Sequence, residues 1–359
     1  MPRRFLLRCR VKTVASLPAN HRRLERRAEP SIASVACLAL ACIAATGTQV
    51  LAQSEQRAPP APRVGLASGD HTFTLRHGDR NRRYLVHVPT GLSEQLPVMI
   101  AFHGGGGNAE GFKSYSGLDA LADRERFIVV YPNGTGVLPN RLLTFNGGGC
   151  CGYAANRQID DVGFTIAVLE DLARRTSIDR KRVYATGHSN GAIMAYRLAA
   201  ERAETIAAIV PVAGAMSVDS FAPSRPVAVM HIHSVDDPRA LYGGGLGPPF
   251  PGTNNRETHA AVEEALERWI RANGCPASAR TEERRTSPAG NDAVHTATRL
   301  VWSPCNGGSE VAQWKLTGAG HGWPGSQGSG LSESIVGPGT NVVDAAAEAW
   351  AFASRFRLQ

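Results

Sequence analysis

The residue best placed for covalent chemistry is Ser189, in the run Gly187-His-Ser-Asn-Gly191. An alternating apolar run from Arg182 leads into it and small and apolar residues follow, which reads as a strand turning sharply into a helix. Glycine at 187 and 191 leaves room for the tight turn and for close approach of helix to strand. The new helix aims its positive dipole end and its free amides at the serine oxygen. A serine after a glycine turn can also be a plain helix N-cap, so the motif needs partners elsewhere in the chain.

A serine hydroxyl is a weak nucleophile until a histidine takes its proton and an acid orients that histidine. In a strand-and-helix chain with this kind of turn, the order is serine, acid, histidine, each in a loop after a strand. Downstream of Ser189, the apolar run 226–233 ends in Ser234-Val-Asp236-Asp237-Pro238. Asp237 is the expected acid, because the following proline favours an extended backbone there, with Asp236 as the fallback. Turn capping is the structural alternative for either carboxylate. The run 311–316 ends in Thr317-Gly-Ala-Gly-His321-Gly-Trp-Pro324, where a histidine between glycines can swing over the sheet edge. His321 is the expected base.

A second glycine run follows the apolar stretch 98–102, as His103-Gly-Gly-Gly-Gly-Asn108. It lacks the Lys-Ser/Thr of a phosphate loop and an acidic residue at dinucleotide spacing. The reading that fits its place, one strand-helix-strand-helix unit before Ser189, is an oxyanion loop in which the amide of Gly105 faces a substrate carbonyl oxygen. His231-Ile-His233 puts two imidazoles on one strand face with Asp236 near, as a metal site would. No third ligand set of diagnostic spacing accompanies it, so strand-end packing is the expectation, with no metal and no cofactor.

The elements that must position these residues alternate. Strands are expected at 72–76, 83–89, 98–102, 127–131, 182–188, 206–212, 226–233 and 311–316, with helices at 118–123, 161–174, 190–202, 260–270 and 342–356. Such alternation predicts an α/β fold with a doubly wound, mostly parallel sheet.

The 359 residues carry a net charge of +8, which would suggest nucleic acid were it evenly spread. Residues 1–30 hold nine Arg/Lys against Glu25 and Glu29, and so account for seven of those eight charges. A nucleic-acid role for the body is therefore excluded. The basic leader runs into the apolar stretch 32–45 and then Val50-Leu-Ala52, which reads as an export signal over residues 1–52 and predicts a secreted or periplasmic protein with no stable membrane partner. A Pro/Ala-rich linker is expected over 53–64, and one catalytic domain over 65–359. Loss of the leader leaves Cys150, Cys151, Cys275 and Cys305, an even number suited to an oxidising compartment. Three pairings are possible. The favoured one joins Cys275 to Cys305, which would oblige the neighbours Cys150 and Cys151 to bond each other.

The set His103-Gly-Gly-Gly-Gly-Asn108, Asn146-Gly-Gly-Gly-Cys-Cys-Gly152, Asp160-Asp-Val-Gly-Phe164, Gly187-His-Ser-Asn-Gly191, Asp237-Pro238 and Gly320-His-Gly-Trp-Pro324 resembles the polyhydroxybutyrate depolymerase and feruloyl esterase-like family of secreted α/β-hydrolases. The resemblance runs from about residue 70 to the C-terminus. It implies a triad of Ser189, Asp237 and His321, with the amides of Asn190 and Gly105 as oxyanion donors. Many polymer-degrading members carry a cysteine in the oxyanion loop, where this chain has Gly105. The expected function is a serine carboxylic-ester hydrolase acting on short-chain hydroxyalkanoate polyesters or oligomers. The alternative is a feruloyl or acetylxylan esterase, and more distant readings are a serine peptidase or a non-catalytic polymer-binding protein. Loops 133–157 and 239–256 are expected to shape the substrate pockets, with Tyr153 and Trp323 as aromatic walls.

Overall fold

The structure is a computed structural model that describes residues 65–91, 95–287, 295–326 and 332–359. The expected export signal, 1–52, and linker, 53–64, lie outside the described residues. The described chain opens on a hairpin of β1 (Gly69–His77) and β2 (Arg80–Val88). There follow β3 (Leu96–Phe102), α1 (Ala109–Ser116), α2 (Leu118–Glu125), β4 (Ile128–Pro132), α3 (Gly152–Asn156), α4 (Asp161–Arg175), β5 (Ile178–His188), α5 (Asn190–Glu201), β6 (Ala208–Val212) and β7 (Ala228–Ser234). The remainder holds a short pair, β8 (Gly245–Leu246) and β9 (Thr258–His259), then α6 (Val262–Ala272), β10 (Arg280–Thr286), β11 (Thr296–Trp302), β12 (Val311–Thr317), α7 (Glu333–Val336) and α8 (Ala345–Ala353).

Ten strands form one sheet in the order β1-β2-β4-β3-β5-β6-β7-β12-β11-β10. The pairings from β4 across to β12 are parallel, and those outside them are antiparallel. β3 shows why such a sheet needs cover on both faces. All seven of its residues are buried. With a side-chain period of two, Val98, Ile100 and Phe102 join one core with Phe164 of α4, Met194 of α5 and Leu266 of α6. Met99 and Ala101 join the other, with Phe112 of α1, Leu121 of α2 and Phe352 of α8. Each fully buried aliphatic or aromatic side chain contributes roughly 1.5–3 kcal/mol in transfer terms. The expected doubly wound, mostly parallel α/β sheet is thus what the chain builds.

The β10–β11 hairpin has no counterpart among the expected elements. β10 reads Arg-Thr-Glu-Glu-Arg-Arg-Thr and most of it is exposed, so this edge strand carries no apolar alternation to reveal it. Among the described residues no helix is long and apolar enough to cross a membrane.

Candidate active site

Because β3, β5, β7 and β12 run parallel, the loops after them leave the sheet at the same edge. Those loops carry His103–Asn108, Ser189, Asp237 and His321, which lie far apart in sequence.

Ser189 sits at φ 57°, ψ −120°, a left-handed setting that a serine adopts only when its surroundings enforce it. Its N–H donates to the Val212 carbonyl at the end of β6 (2.8 Å), and its own carbonyl accepts from Ala192 and Ile193 in the first turn of α5. The flanking glycines are required by space. A Cβ on Gly191 would overlap the carbonyl oxygens of Phe102 and His103, and one on Gly187 would meet the Gly191 carbonyl at 2.5 Å. The close crossing of α5 over β3 and β5 therefore fixes where the serine hydroxyl points.

The hydroxyl Oγ lies 2.9 Å from His321 Nε2, and His321 Nδ1 lies 2.7 Å from Asp237 Oδ2. The His321 loop is braced by hydrogen bonds from its backbone N–H to the Val336 carbonyl (2.5 Å) and from the Gly320 N–H to the Pro338 carbonyl (2.7 Å). Asp237 is buried, and its Oδ1 accepts the N–H groups of Arg239 (2.7 Å) and Ala240 (2.9 Å). Burial works to raise the Asp237 carboxyl, but the adjacent His321 charge and the hydrogen bonds from His233 and His321 outweigh it and hold the pKa well below the carboxylate range. The neighbouring carboxylate, Asp236, is exposed and instead accepts the Gly318 N–H (2.7 Å), closing the turn after β12.

The glycine loop faces this serine. A Cβ built on Gly104 would lie 3.6 Å from Ser189 Cβ, and one on Gly105 would lie 3.4 Å from Asn190 Cβ. The N–H groups of Gly106 and Gly107 are committed to the carbonyls of Leu143 and Gly104. Asn190 is the first residue of α5, so its amide is one of the helix's free N-terminal donors. His103 anchors the loop: Nδ1 meets the Gly104 carbonyl (2.8 Å) and Nε2 accepts the Gly134 N–H (3.0 Å). Burial, with a smaller opposing contribution from the Gly104 hydrogen bond, pushes its pKa down to about 4. Asn108 then caps α1 by accepting the Gly111 N–H.

Of the two expected substrate walls, Trp323 is placed in the core, and Tyr153 is half-buried on α3. Trp323 is 2% exposed, packs edge-on against Phe112 and donates its indole N–H to the Ser116 carbonyl, so it belongs to the core. Its apolar bulk is better buried than held at a wet site edge. The Tyr153 ring is flanked by the guanidinium groups of Arg80 and Arg157, each 5.9 Å from its centroid, and so ties α3 to the β1–β2 turn.

Several polar side chains near the site make contacts that the sequence does not reveal. The Asn190 side chain is locked to the Phe145 backbone. The His188 ring lies 4.9 Å from the His321 ring, and burial, aided by the His321 charge, lowers its pKa to about 3. His233 and His231 lie behind Asp237. The alternation His231-Ile-His233 was the available signal for the last pair.

The cysteines pair as Cys275–Cys305 and Cys150–Cys151. Potential metal ligands cluster among the described residues as Cys150, Cys151 and Glu257, and as Asp70, His87 and Asp119. The two sulfurs of the first are bonded to each other, and the Lys113 ammonium already sits between Asp70 and Asp119 in the second.

Residues 82–260 match a family model described as Esterase PHB depolymerase. The chain is 29% identical over 297 residues to NocK of Nocardia uniformis subsp. tsuyamanensis, a protein that bears an esterase name, with 75% of this chain and 79% of that one aligned. It is 26% identical to feruloyl esterase B of Piromyces equi, covering 67% of this chain and 42% of that one. It is also 26% identical to poly(3-hydroxyalkanoate) depolymerase C of Paucimonas lemoignei, covering 70% and 61%. The chain thus spans less than two thirds of the length of the last two relatives.

Proposed function

The chain belongs, through residues 82–260, to the Esterase PHB depolymerase family of carboxylic-ester hydrolases, and from that premise we propose that it works through an acyl-enzyme formed on Ser189. The observation that carries this reading is the hydrogen-bonded line Ser189 Oγ, His321, Asp237 Oδ2, with the serine held at positive φ. His321 Nε2 takes the hydroxyl proton as Oγ attacks the ester carbonyl. Asp237 holds the proton on Nδ1 and so leaves Nε2 free to act as base. The tetrahedral oxyanion is received by the amides of Asn190 and Gly105, and the imidazolium returns its proton to the departing alcohol. Water then repeats the sequence on the acyl-serine.

For substrate, a short-chain hydroxyalkanoate polyester or its oligomers is the first reading, and a feruloyl or acetyl ester on polysaccharide the second. The first is favoured by the site's surroundings. Among the described residues, the exposed large hydrophobics are Val137, Leu138, Leu142, Leu246, Phe250 and Ile335. Their segments adjoin the site: Leu143 bonds Gly106 and Gly107, the Phe250 ring covers Gly106, and Val336 bonds His321. An apolar rim suits an apolar polymer better than a hydrated sugar chain. The basic leader and the apolar stretch 32–45 support export to meet such a substrate.

The test compares wild type with Ser189→Ala on nitrophenyl esters of graded acyl length, methyl ferulate, acetylated xylan and a polyhydroxybutyrate film. Loss of at least about 10⁴-fold in kcat is expected for the variant. Equal turnover by the two would sink the mechanism, and the best ester decides the substrate.

A further inference from the structure

Behind Asp237 lies a line of buried polar groups that the acyl-enzyme reading does not use. Tyr196 OH lies 3.1 Å from His231 Nδ1, His231 Nε2 lies 3.0 Å from His233 Nδ1, and His233 Nε2 lies 3.0 Å from Asp237 Oδ2. Tyr196, His231, His233 and Asp237 are all nearly or wholly buried. β7 supplies both histidines on one face, two residues apart, and α5, the helix that begins directly after Ser189, supplies the tyrosine.

The partners fix the direction of this line. His233 Nε2 faces two acceptors, Asp237 Oδ2 and the Ala240 carbonyl (2.9 Å), so it must carry a proton. Burial keeps His231 neutral. In a neutral chain His233 Nδ1 accepts from His231 Nε2–H, and His231 Nδ1 accepts from the tyrosine hydroxyl. Every group then has one role, and the line ends on the same carboxylate oxygen that receives His321 Nδ1–H.

We propose that His233, held in one tautomer by His231 and Tyr196, is a positioning residue that fixes Asp237 Oδ2 and thereby sets the proton affinity of His321. A donor on Oδ2 disperses the carboxylate charge, so it weakens the pull of Asp237 on the imidazolium. It also prevents the carboxylate from rotating away from His321. The other charged or titratable groups around the cluster are His188, His259, Tyr242, Arg239 and the Lys315–Glu263 pair. None of them hydrogen-bonds to Asp237 through its side chain among the described contacts.

The inference rests on the ester-hydrolase reading, and its test separates the two. Wild type, His233→Leu and His233→Gln are assayed on nitrophenyl butyrate across pH 4–9, with Ser189→Ala as the control for the reading itself. His233→Leu should lower kcat by about 10–100-fold, the scale seen where a hydrogen-bonding partner orients a functional group, with KM little changed. Its acid limb of kcat/KM should move to higher pH by about half a unit or more, because His321 now faces a less compensated carboxylate. His233→Gln, whose amide can donate to Asp237 and accept from His231, should restore both. An unmoved limb in His233→Leu overturns the proposal. Should that variant fail to fold, long-range proton-nitrogen correlation on the wild-type protein decides: His233 protonated on Nε2 alone supports the line, and an Nδ1–H or imidazolium form refutes it. Equal activity of Ser189→Ala and wild type would refute the mechanism and leave that spectrum to speak for the line separately.

Discussion

The side-chain amide of Asn190 hydrogen-bonds to one residue at both ends, accepting the Phe145 N–H at Oδ1 (2.7 Å) and donating from Nδ2 to the Phe145 carbonyl (2.9 Å). It pairs with that backbone as a neighbouring strand would, and so fastens the start of α5 to the segment that leads into the Gly/Cys-rich loop. Phe145 is fully buried and lies against Phe102 and His103.

Asn190→Ala should therefore act on stability more than on chemistry. It strands the buried Phe145 N–H, at roughly 1–3 kcal/mol for an unsatisfied donor, and leaves the Phe145 carbonyl with only the long bond from the Cys151 N–H (3.4 Å). The backbone amide at 190 is kept, so kcat should fall less than tenfold. Asn190→Asp retains the acceptor but sets a carboxylate against the Phe145 carbonyl, and should be no better than alanine. Urea unfolding of the three proteins checks this, and coincident midpoints for wild type and Asn190→Ala would contradict it.

The positions of Ser189, Asp237 and His321 at strand ends are legible in the sequence because a parallel sheet brings the ends of distant strands to one edge. The glycines around Ser189 are legible for a similar reason, since tight turns restrict residue type. The second role of Asn190 is not, because its side chain answers a backbone 45 residues away. His231 and His233 stand out as a pair, yet only the fold shows that they face Tyr196 and Asp237. Trp323 misleads in the opposite sense: two residues beyond His321 on the chain is still far enough to turn into the core. The start of α4 at Asp160-Asp161 hides a buried ion pair of Asp161 with Arg82 of β2.

His103 and His188 give the protein an acid sensitivity that begins above the carboxylate range. Both are buried, and their pKa values fall to about 4 and about 3. The unfolded chain protonates each near pH 6.5 while the folded chain does not. Their contribution is complete above that pH and is lost as pH falls from about 6.5 toward the folded values. For His103 alone the loss by pH 4 is about 3 kcal/mol. The melting temperature should drop steadily from pH 7 to pH 4.5, and His103→Gln should flatten that slope while lowering stability at pH 7. A wild-type melting temperature constant from pH 7 to 5 would count against it.

The apolar rim should matter for a solid ester and not for a dissolved one. Val137 and Leu142 are 80% and 60% exposed on the 135–144 loop, whose ends pair as Thr135 with Thr144. Neither side chain stabilises a core, so replacement by serine has little to cost the fold. On a polyester film each buries its apolar surface against polymer, and removing both should weaken adsorption by about tenfold or more, since 1.4 kcal/mol is a factor of ten. The double variant Val137→Ser, Leu142→Ser should then clear a polyhydroxybutyrate film more slowly in proportion to its lost adsorption. Its kcat/KM on nitrophenyl butyrate should stay within about twofold of wild type, because that ester needs only the Ser189 centre. Equal film binding by the two proteins would remove the rim as an argument for polyester, and would return the choice of substrate to the aromatic and sugar esters.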